Sequence, residues 1–369
     1  MTDRERFLAT MRFDPGVAPP NHELGLWGQT LDRWLAEGAK EQDISFDWFR
    51  GGTLGLDRRD FAPVYTHADP RFEYRVLEED EETIIHQDDQ GVVTRALKTG
   101  TAHGTRASMD QHISHPVRDR ESFLEYKKRY VASSPGRYPA RWPELVAQWR
   151  QRDYPLCLQE NCGFGLFSHL RIWMGTEALC IAFYEQPALV HEMLEFLTEF
   201  FCEAVSRAVQ EVQFDCFNFF EDFAYKTGPF TSPQLFRGFF MPHYRRIIEF
   251  LRGHGVSYFM LDSDGNTEVL IGSLIEVGMN CHWPFEAAAG MDPVRIRKQY
   301  GKELVISGGI DKRELAKGKR EIEQELYAKL PPLLESGGYI PTVDHTIPPD
   351  VPWGNFLYYL ELKRKLMGC

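Results

Sequence analysis

Apolar and polar positions change period part-way along the chain. From Pro155 onward, short apolar runs alternate with longer amphipathic ones. The runs Pro155–Gln159, Phe214–Phe220, Tyr258–Leu261, Leu304–Ser307 and Gly337–Pro341, and one ending at Cys281-His282, read as strands. Phe214–Phe220 is almost continuously apolar, as a parallel strand covered on both faces should be. Between them, Leu189–Val212, Glu321–Glu335 and Phe356–Leu366 repeat apolar residues at helical spacing. Ser232-Pro233 has the cap and first-turn pattern of a helix continuing through Phe250. Strand, turn, helix, strand is the βαβ unit, and its repetition predicts a parallel sheet.

The first half is less regular. Thr2–Phe13 predicts a helix broken by Pro15 to Pro20. His22–Trp27 predicts a first strand, and Gln29–Glu37 a helix with Leu31, Trp34 and Leu35 on one face. Phe72-Tyr74-Val76, Thr83–Ile85 and Val92–Thr94 are short β runs separated by acidic turns, which predicts an antiparallel meander. Arg118–Arg129 is a charged helix, and Pro135, Pro139 and Pro143 mark a loop. The prediction is α/β: a single (β/α)8 TIM-type barrel over residues 1–369, with 60–115 as an inserted antiparallel β meander or flap in the N-terminal half.

At 369 residues and 43% hydrophobic the chain can bury a large core. A net charge of -12 disfavours nucleic acid and anionic membrane as partners. The seven cysteines show no CxxC, the N-terminus lacks an apolar core, and no apolar run reaches membrane-spanning length. These features predict a soluble cytoplasmic protein.

Strand ends supply the candidate chemistry, because in parallel α/β folds the loops there surround the binding crevice. The predicted strands end at Glu23; Glu160 and Asn161; Glu221 and Asp222; Asp262 and Asp264; His282 and Glu286; Asp311; and Asp344 and His345. Carboxylates gathered in a partly desolvated mouth take up protons or hold a cation. The competing reading is that many cap helices or pair with nearby cations. Cys281-His282 reads as buried packing with one hydrogen bond, and Cys157 and Cys162 as core thiols. Gly308-Gly309 either approaches a ligand or simply makes a turn. His345 has the stronger functional case, since it titrates near neutral pH beside a carboxylate.

The segments EDFAYKTGPFTSPQLFRGFFMPHYRRI, LDSDGN, GMDPVRIRKQYGKELVISGGIDKRELAKG and GGYIPTVDHTIPPDVPWGN resemble the uroporphyrinogen decarboxylase superfamily. The resemblance implies a single (β/α)8 barrel and one of two chemistries. True decarboxylases use no cofactor and grip a polyanionic tetrapyrrole with an RQAGR segment, which is missing here; the corresponding region is NHELGLW. The other branch moves methyl groups between small substrates and a corrinoid carried on a separate small protein. Its thiol-activating members bind zinc through a His-x-Cys pair and a later Cys. Here those places hold Asp262-Ser263-Asp264 and, near the second, Asp344-His345.

The resemblance therefore implies a corrinoid-linked methyltransferase-like enzyme acting on a small methylated compound, such as an aryl methyl ether or methylamine. Asp262, Asp264 and His345 are its candidate catalytic residues, and also the candidate ligands of zinc or another divalent ion. Glu23, Glu160, Asn161, Glu221, Asp222, His282, Glu286 and Asp344 are candidate substrate-binding residues. A cofactor-free decarboxylase or lyase, and a non-catalytic corrinoid- or partner-binding module, are the alternatives.

Overall fold

A computed structural model describes residues 1–44, 51, 53–159 and 163–368. Its strands are β1 (Asp60–Ala62), β2 (Arg75–Glu79), β3 (Thr83–Gln87), β4 (Val93–Leu97), β5 (Thr101–Ala102), β6 (Thr105–Arg106), β7 (Gln111–Ser114), β8 (Leu156–Leu158), β9 (Cys216–Phe220), β10 (Ala224–Tyr225), β11 (Gly228–Pro229), β12 (Tyr258–Asp262), β13 (Cys281–Trp283), β14 (Val305–Ser307) and β15 (Tyr339–Ile340). A seven-stranded sheet runs in the order β1-β8-β9-β12-β13-β14-β15, with every neighbouring pair parallel. All its strand ends therefore point one way, toward one rim.

The expected first strand at His22–Trp27 is present only as a parallel bridge from Leu26 to Ile347. It is held by side chains instead. Glu23 is buried, and its carboxylate accepts from the Val343 backbone N–H at 3.0 Å, the Tyr359 hydroxyl at 2.6 Å and the Lys363 ammonium. Lys363 is 0% exposed and belongs to the C-terminal helix Trp353–Met367. That helix thus clamps the beginning of the chain to its last strand.

The meander is a four-stranded antiparallel sheet, β2-β3-β4-β7. The expected insertion boundary at residue 60 needs correcting. Asp60–Ala62 pairs in parallel with Leu156–Leu158 in the main sheet, so the meander begins only at Arg75. Its turn at Asp88–Gly91 lies back on the body. Gln90 Nε2 donates to the Tyr65 hydroxyl at 2.8 Å, and the Tyr126 hydroxyl donates to the Gln90 carbonyl at 3.1 Å.

Helices fall where the periodicity places them, with local differences. The expected helix from Ser232 to Phe250 contains a π-helical turn, Phe236–Phe240, before Met241–Gly253. The proline-marked loop ends in a helix, Trp142–Trp149, because Pro143 sits in its first turn, where a missing N–H costs nothing. Leu166–Met174 is a helix absent from the sequence expectations, although Leu166, Phe167, Leu170, Trp173 and Met174 recur at helical spacing. No described helix is long and apolar enough to cross a membrane.

The side-chain period of two divides each strand between two cores. Cys157, Cys216, Met260, Cys281, Trp283, Val305 and Ile340 meet Phe7, Met11 and Leu24 inside the curl of the sheet. Phe217, Phe219, Phe259 and Leu261 face the other way, into the helical layer. This parity decides which strand-end residues can reach the inner rim.

Candidate active site

Even-numbered residues of β9 and β12 lie on the inner face, so the next even positions, Asp222 and Asp264, follow them to the rim. Asp262 ends β12 beside Trp283 and Phe220, is buried, and feels the charges of Asp222 and Asp264. Burial is the main cause that raises its pKa well above the ordinary value, and the two carboxylates add to it. Asn218 and Arg59 temper the shift. Its protonated form is therefore favoured more than that of an ordinary aspartate.

Asp264 meets His345. His345 Nε2 lies 3.3 Å from Asp264 Oδ2, with the side chains 31% and 41% exposed. Burial works to raise the Asp264 pKa, but the His345 hydrogen bond and charge, with Lys312 and Arg171, outweigh it and the net shift is downward. Burial likewise opposes the His345 imidazolium, and Asp264 outweighs it, so that pKa is raised. Each partner thus favours the charged form of the other. His345 Nδ1 lies 2.8 Å from Thr346 Oγ1, which accepts from Trp27 Nε1 at 2.8 Å. That chain fixes the ring orientation.

Around the pair, carboxylates alternate with cations. Arg171 donates to Asp222 at 3.2 Å. Burial and Asp264 raise the Asp222 pKa against that arginine. Lys312 lies 3.6 Å from both Glu286 and Asp344. Glu286 accepts from the Gly265 N–H at 2.9 Å, which ties down the turn carrying Asp264. Asp344 is buried and accepts from the backbone of Ala287 and Lys312. Burial raises its pKa against Lys312.

Other predicted residues point elsewhere. Glu221 follows the outward parity of Phe217 and Phe219. Its carboxylate caps the helix Leu166–Met174, accepting from Phe167 N at 2.8 Å, Ser168 N at 3.2 Å, Leu166 N and the Tyr244 hydroxyl. Burial raises its pKa to about 7 against those donors. With so many donors on two oxygens, Glu221 has no evident place for a ligand, contrary to its expected facing toward the mouth. His282 is buried in the outer layer, 2.7 Å from Thr267 Oγ1, and burial lowers its pKa to about 4. Glu23 serves the clamp described above. Asp311 caps Lys312–Lys317 and pairs with Arg313. Glu160, Asn161 and Cys162 lie outside the described residues.

Gly308-Gly309 make the turn. A Cβ on Gly308, at φ +105°, would stand 1.8 Å from the Pro284 carbonyl oxygen. Sequence reasoning missed Arg171 and Lys312. Both lie in short helices that start just past strand ends, and that position was the available signal.

The three expected metal ligands, Asp262, Asp264 and His345, do not form one donor set, although Asp264 and His345 meet. Among the described residues no group of three His, Cys, Asp or Glu side chains is placed to hold a metal ion. Asp264 is engaged with His345, while Asp262 sits one strand position deeper. This donor set does not fit a zinc site.

The family model described as "Uroporphyrinogen decarboxylase (URO-D)" matches residues 138–366. The chain belongs to that family. A methyltransferase from Methanosarcina mazei superimposes over 100% of both chains with a TM-score of 0.62 at 14% identity, which shows a shared fold. A B12-independent methionine synthase from Shewanella sp. W3-18-1 aligns over 62% of this chain and 68% of its own, with 9% identity and a TM-score of 0.36, a likeness that carries no argument. No curated protein matches the chain. The matched segment takes in Arg171, Asp222, Asp262, Asp264, Lys312 and His345, so the whole described rim cluster lies inside the family's shared region.

Proposed function

We propose that this chain is a methyltransferase-like enzyme that moves a methyl group between a small methylated substrate, an aryl methyl ether or a methylamine, and a corrinoid. The corrinoid is a second substrate, presented by a separate small protein, and supplies the nucleophile that accepts the methyl group. In this reading residues 1–369 form one cytoplasmic (β/α)8 domain, its ring completed at His22–Trp27, with the meander as a flap.

The observation that carries the reading is the Asp264–His345 pair beside a buried Asp262. Removing a methyl group from an ether leaves an oxygen that needs a proton. His345 can supply one from Nε2, its side chain being partly exposed. Asp264 keeps the ring charged, and Thr346 keeps it oriented. Asp262, whose pKa burial raises, is a second proton source deeper in the site. Well-placed acids of this kind contribute about 10²–10⁴ in rate. Arg171 and Lys312 hold Asp222, Glu286 and Asp344 in place and limit their mutual repulsion.

One observation favours the decarboxylase alternative. Arg171 reaches the rim, and a substrate carboxylate would compete with Asp222 for it. Against this, the surrounding carboxylates oppose a polyanion.

The test is incubation with reduced cobalamin and either methoxybenzene or trimethylamine, following the absorbance change on cobalamin methylation. Parallel samples receive uroporphyrinogen, and its carboxylates are counted. Methylation that disappears in folded Asp264→Asn and His345→Gln variants is expected. Enzymatic loss of uroporphyrinogen carboxylates without methyl transfer overturns the proposal.

A further inference from the structure

Beneath the rim, one hydrogen bond crosses the inner face of the parallel sheet. Trp283 Nε1 donates to Asn218 Oδ1 at 3.0 Å. Asn218 belongs to β9 and Trp283 to β13, with β12 between them. Asn218 stands opposite Met260 of β12, and Trp283 opposite Asp262. Both side chains are buried, at 1% and 4% exposed. The bond therefore spans the strand that carries Asp262.

An indole N–H only donates, so Trp283 can meet no part of the amide except its oxygen. That settles which way the amide lies, a choice that a partner able both to give and to accept would leave open. The nitrogen, Nδ2, becomes the free end, and among the described residues it makes no full hydrogen bond. A buried donor without an acceptor is costly, so it marks a place where an acceptor belongs. An adjoining cavity of about 20 Å³, lined in part by Asn218, Arg59, Met260 and Trp283, has room for one water and no larger guest. The other acceptor at hand is Asp262. Burial, Asp222 and Asp264 raise the Asp262 pKa, and the Asn218 side chain opposes them.

We infer that Asn218, held by Trp283, is a positioning residue for Asp262: its amide nitrogen donates to the carboxylate that Asp262 becomes when it gives up its proton. While Asp262 keeps that proton, its oxygens are weak acceptors and the contact stays loose. When the O–H bond breaks, the proton goes to the leaving oxygen of the substrate and the electron pair stays on Asp262. The carboxylate is then a charged acceptor, and hydrogen bonds to charged groups are about twice as strong as neutral ones. The contact strengthens as the reaction proceeds, which lowers the barrier and leaves substrate binding unchanged. Trp283 orients the donor beforehand, so little reorganisation is needed at that moment. The inference rests on the methyl-transfer reading, in which Asp262 is a proton source.

The experiment is infrared spectroscopy of the full-length chain across a pH series. Subtracting the Asp262→Asn spectrum isolates the protonated carboxyl band of Asp262. Asn218→Leu keeps the shape of the side chain and removes the donor. The pH at which the band disappears should rise by about one unit in that variant. Its kcat for methyl transfer should fall by about tenfold with KM unchanged. Trp283→Phe lets the amide turn, and should move the band the same way by less. Adding Trp283→Phe to Asn218→Leu should move it no further, because Trp283 acts through Asn218. That double variant leaves neither partner of the bond unmatched, so it serves where Asn218→Leu alone does not fold. A band unmoved in folded Asn218→Leu, or in the double variant, overturns the inference and leaves the nitrogen to a cavity water. A raised KM with kcat unchanged, or a further shift on adding Trp283→Phe, also overturns it. A moved band in protein that transfers no methyl group supports the contact and counts against the methyl-transfer reading alone.

Discussion

Glu221 and Asp222 are adjacent in sequence and do opposite things. Glu221 faces the helical layer and caps a helix with both oxygens. Asp222 faces the rim and shares the field of Asp262 and Asp264. Glu23 and Asp264 repeat the contrast at larger scale. Glu23 is sealed against Lys363 with neither side chain exposed, whereas Asp264 pairs with His345 in partial contact with solvent. A strand-end carboxylate is thus a structural part or a candidate reactive group according to its parity and the partner that meets it. The outward class should govern stability, the rim class activity.

The largest effect should come from the sealed pair. Lys363→Met leaves Glu23 buried without its cation, and breaking such a pair costs about 3–5 kcal/mol. Denaturant unfolding should show that loss. A double variant, Lys363→Met with Glu23→Gln, should recover a good part of it, because no charge then stays uncompensated. No recovery would mean that the clamp acts through packing alone.

Next comes the rim pair. Asp264→Asn and His345→Gln should each lower methyl transfer by about 10²–10⁴, with stability changed by less than about 1 kcal/mol for so exposed a pair. A large melting shift in either would erase the distinction between the two classes. Glu221→Ala should do the reverse. It leaves buried N–H groups of residues 166–168 unmet, costing about 1–3 kcal/mol, while the per-molecule activity of folded protein changes little.

Most of the fold was legible because its signals are local. The second-half alternation predicts the strands that form, and the turn-separated β runs predict the meander. The first strand was less so. His22–Trp27 is held beside the last strand through Glu23 and Lys363, residues 340 positions apart, and no local pattern carries that information. The rim set was half legible. Asp222, Asp262, Asp264 and His345 come from strand ends in the sequence, but so do Glu221 and His282, which parity turns outward. Counting in twos back from Asp222 through Phe220, Asn218 and Cys216 would have set Glu221 apart, and Cys281 and Trp283 on the inner face set His282 apart. The partners Arg171 and Lys312 arrive from short helices that follow strand ends, and tertiary contact decides which carboxylates they meet.

The smallest effect is the most specific. His345 has a pKa raised above 6.5, and Asp264 one lowered below 3.8. The histidine's contribution to stability is therefore fully present below pH 6.5 and is lost as pH rises through its folded value. The aspartate's is present above pH 3.8 and is lost as pH falls through its folded value. The stability difference between the parent and Asp264→Asn should be widest between those limits and narrow at both ends, with a height below about 1 kcal/mol after solvent screening. Activity follows the same proton. If the His345 imidazolium donates it, the basic limb of the rate profile lies above pH 6.5 in the parent. In Asp264→Asn it moves to lower pH, because burial and Lys312 then act on His345 against Glu286 alone. Residual activity in that variant should accordingly be greatest under acidic conditions. A basic limb that stays fixed on removing Asp264 would assign the proton to another group, with Asp262 the first candidate, since burial raises its pKa without any help from His345.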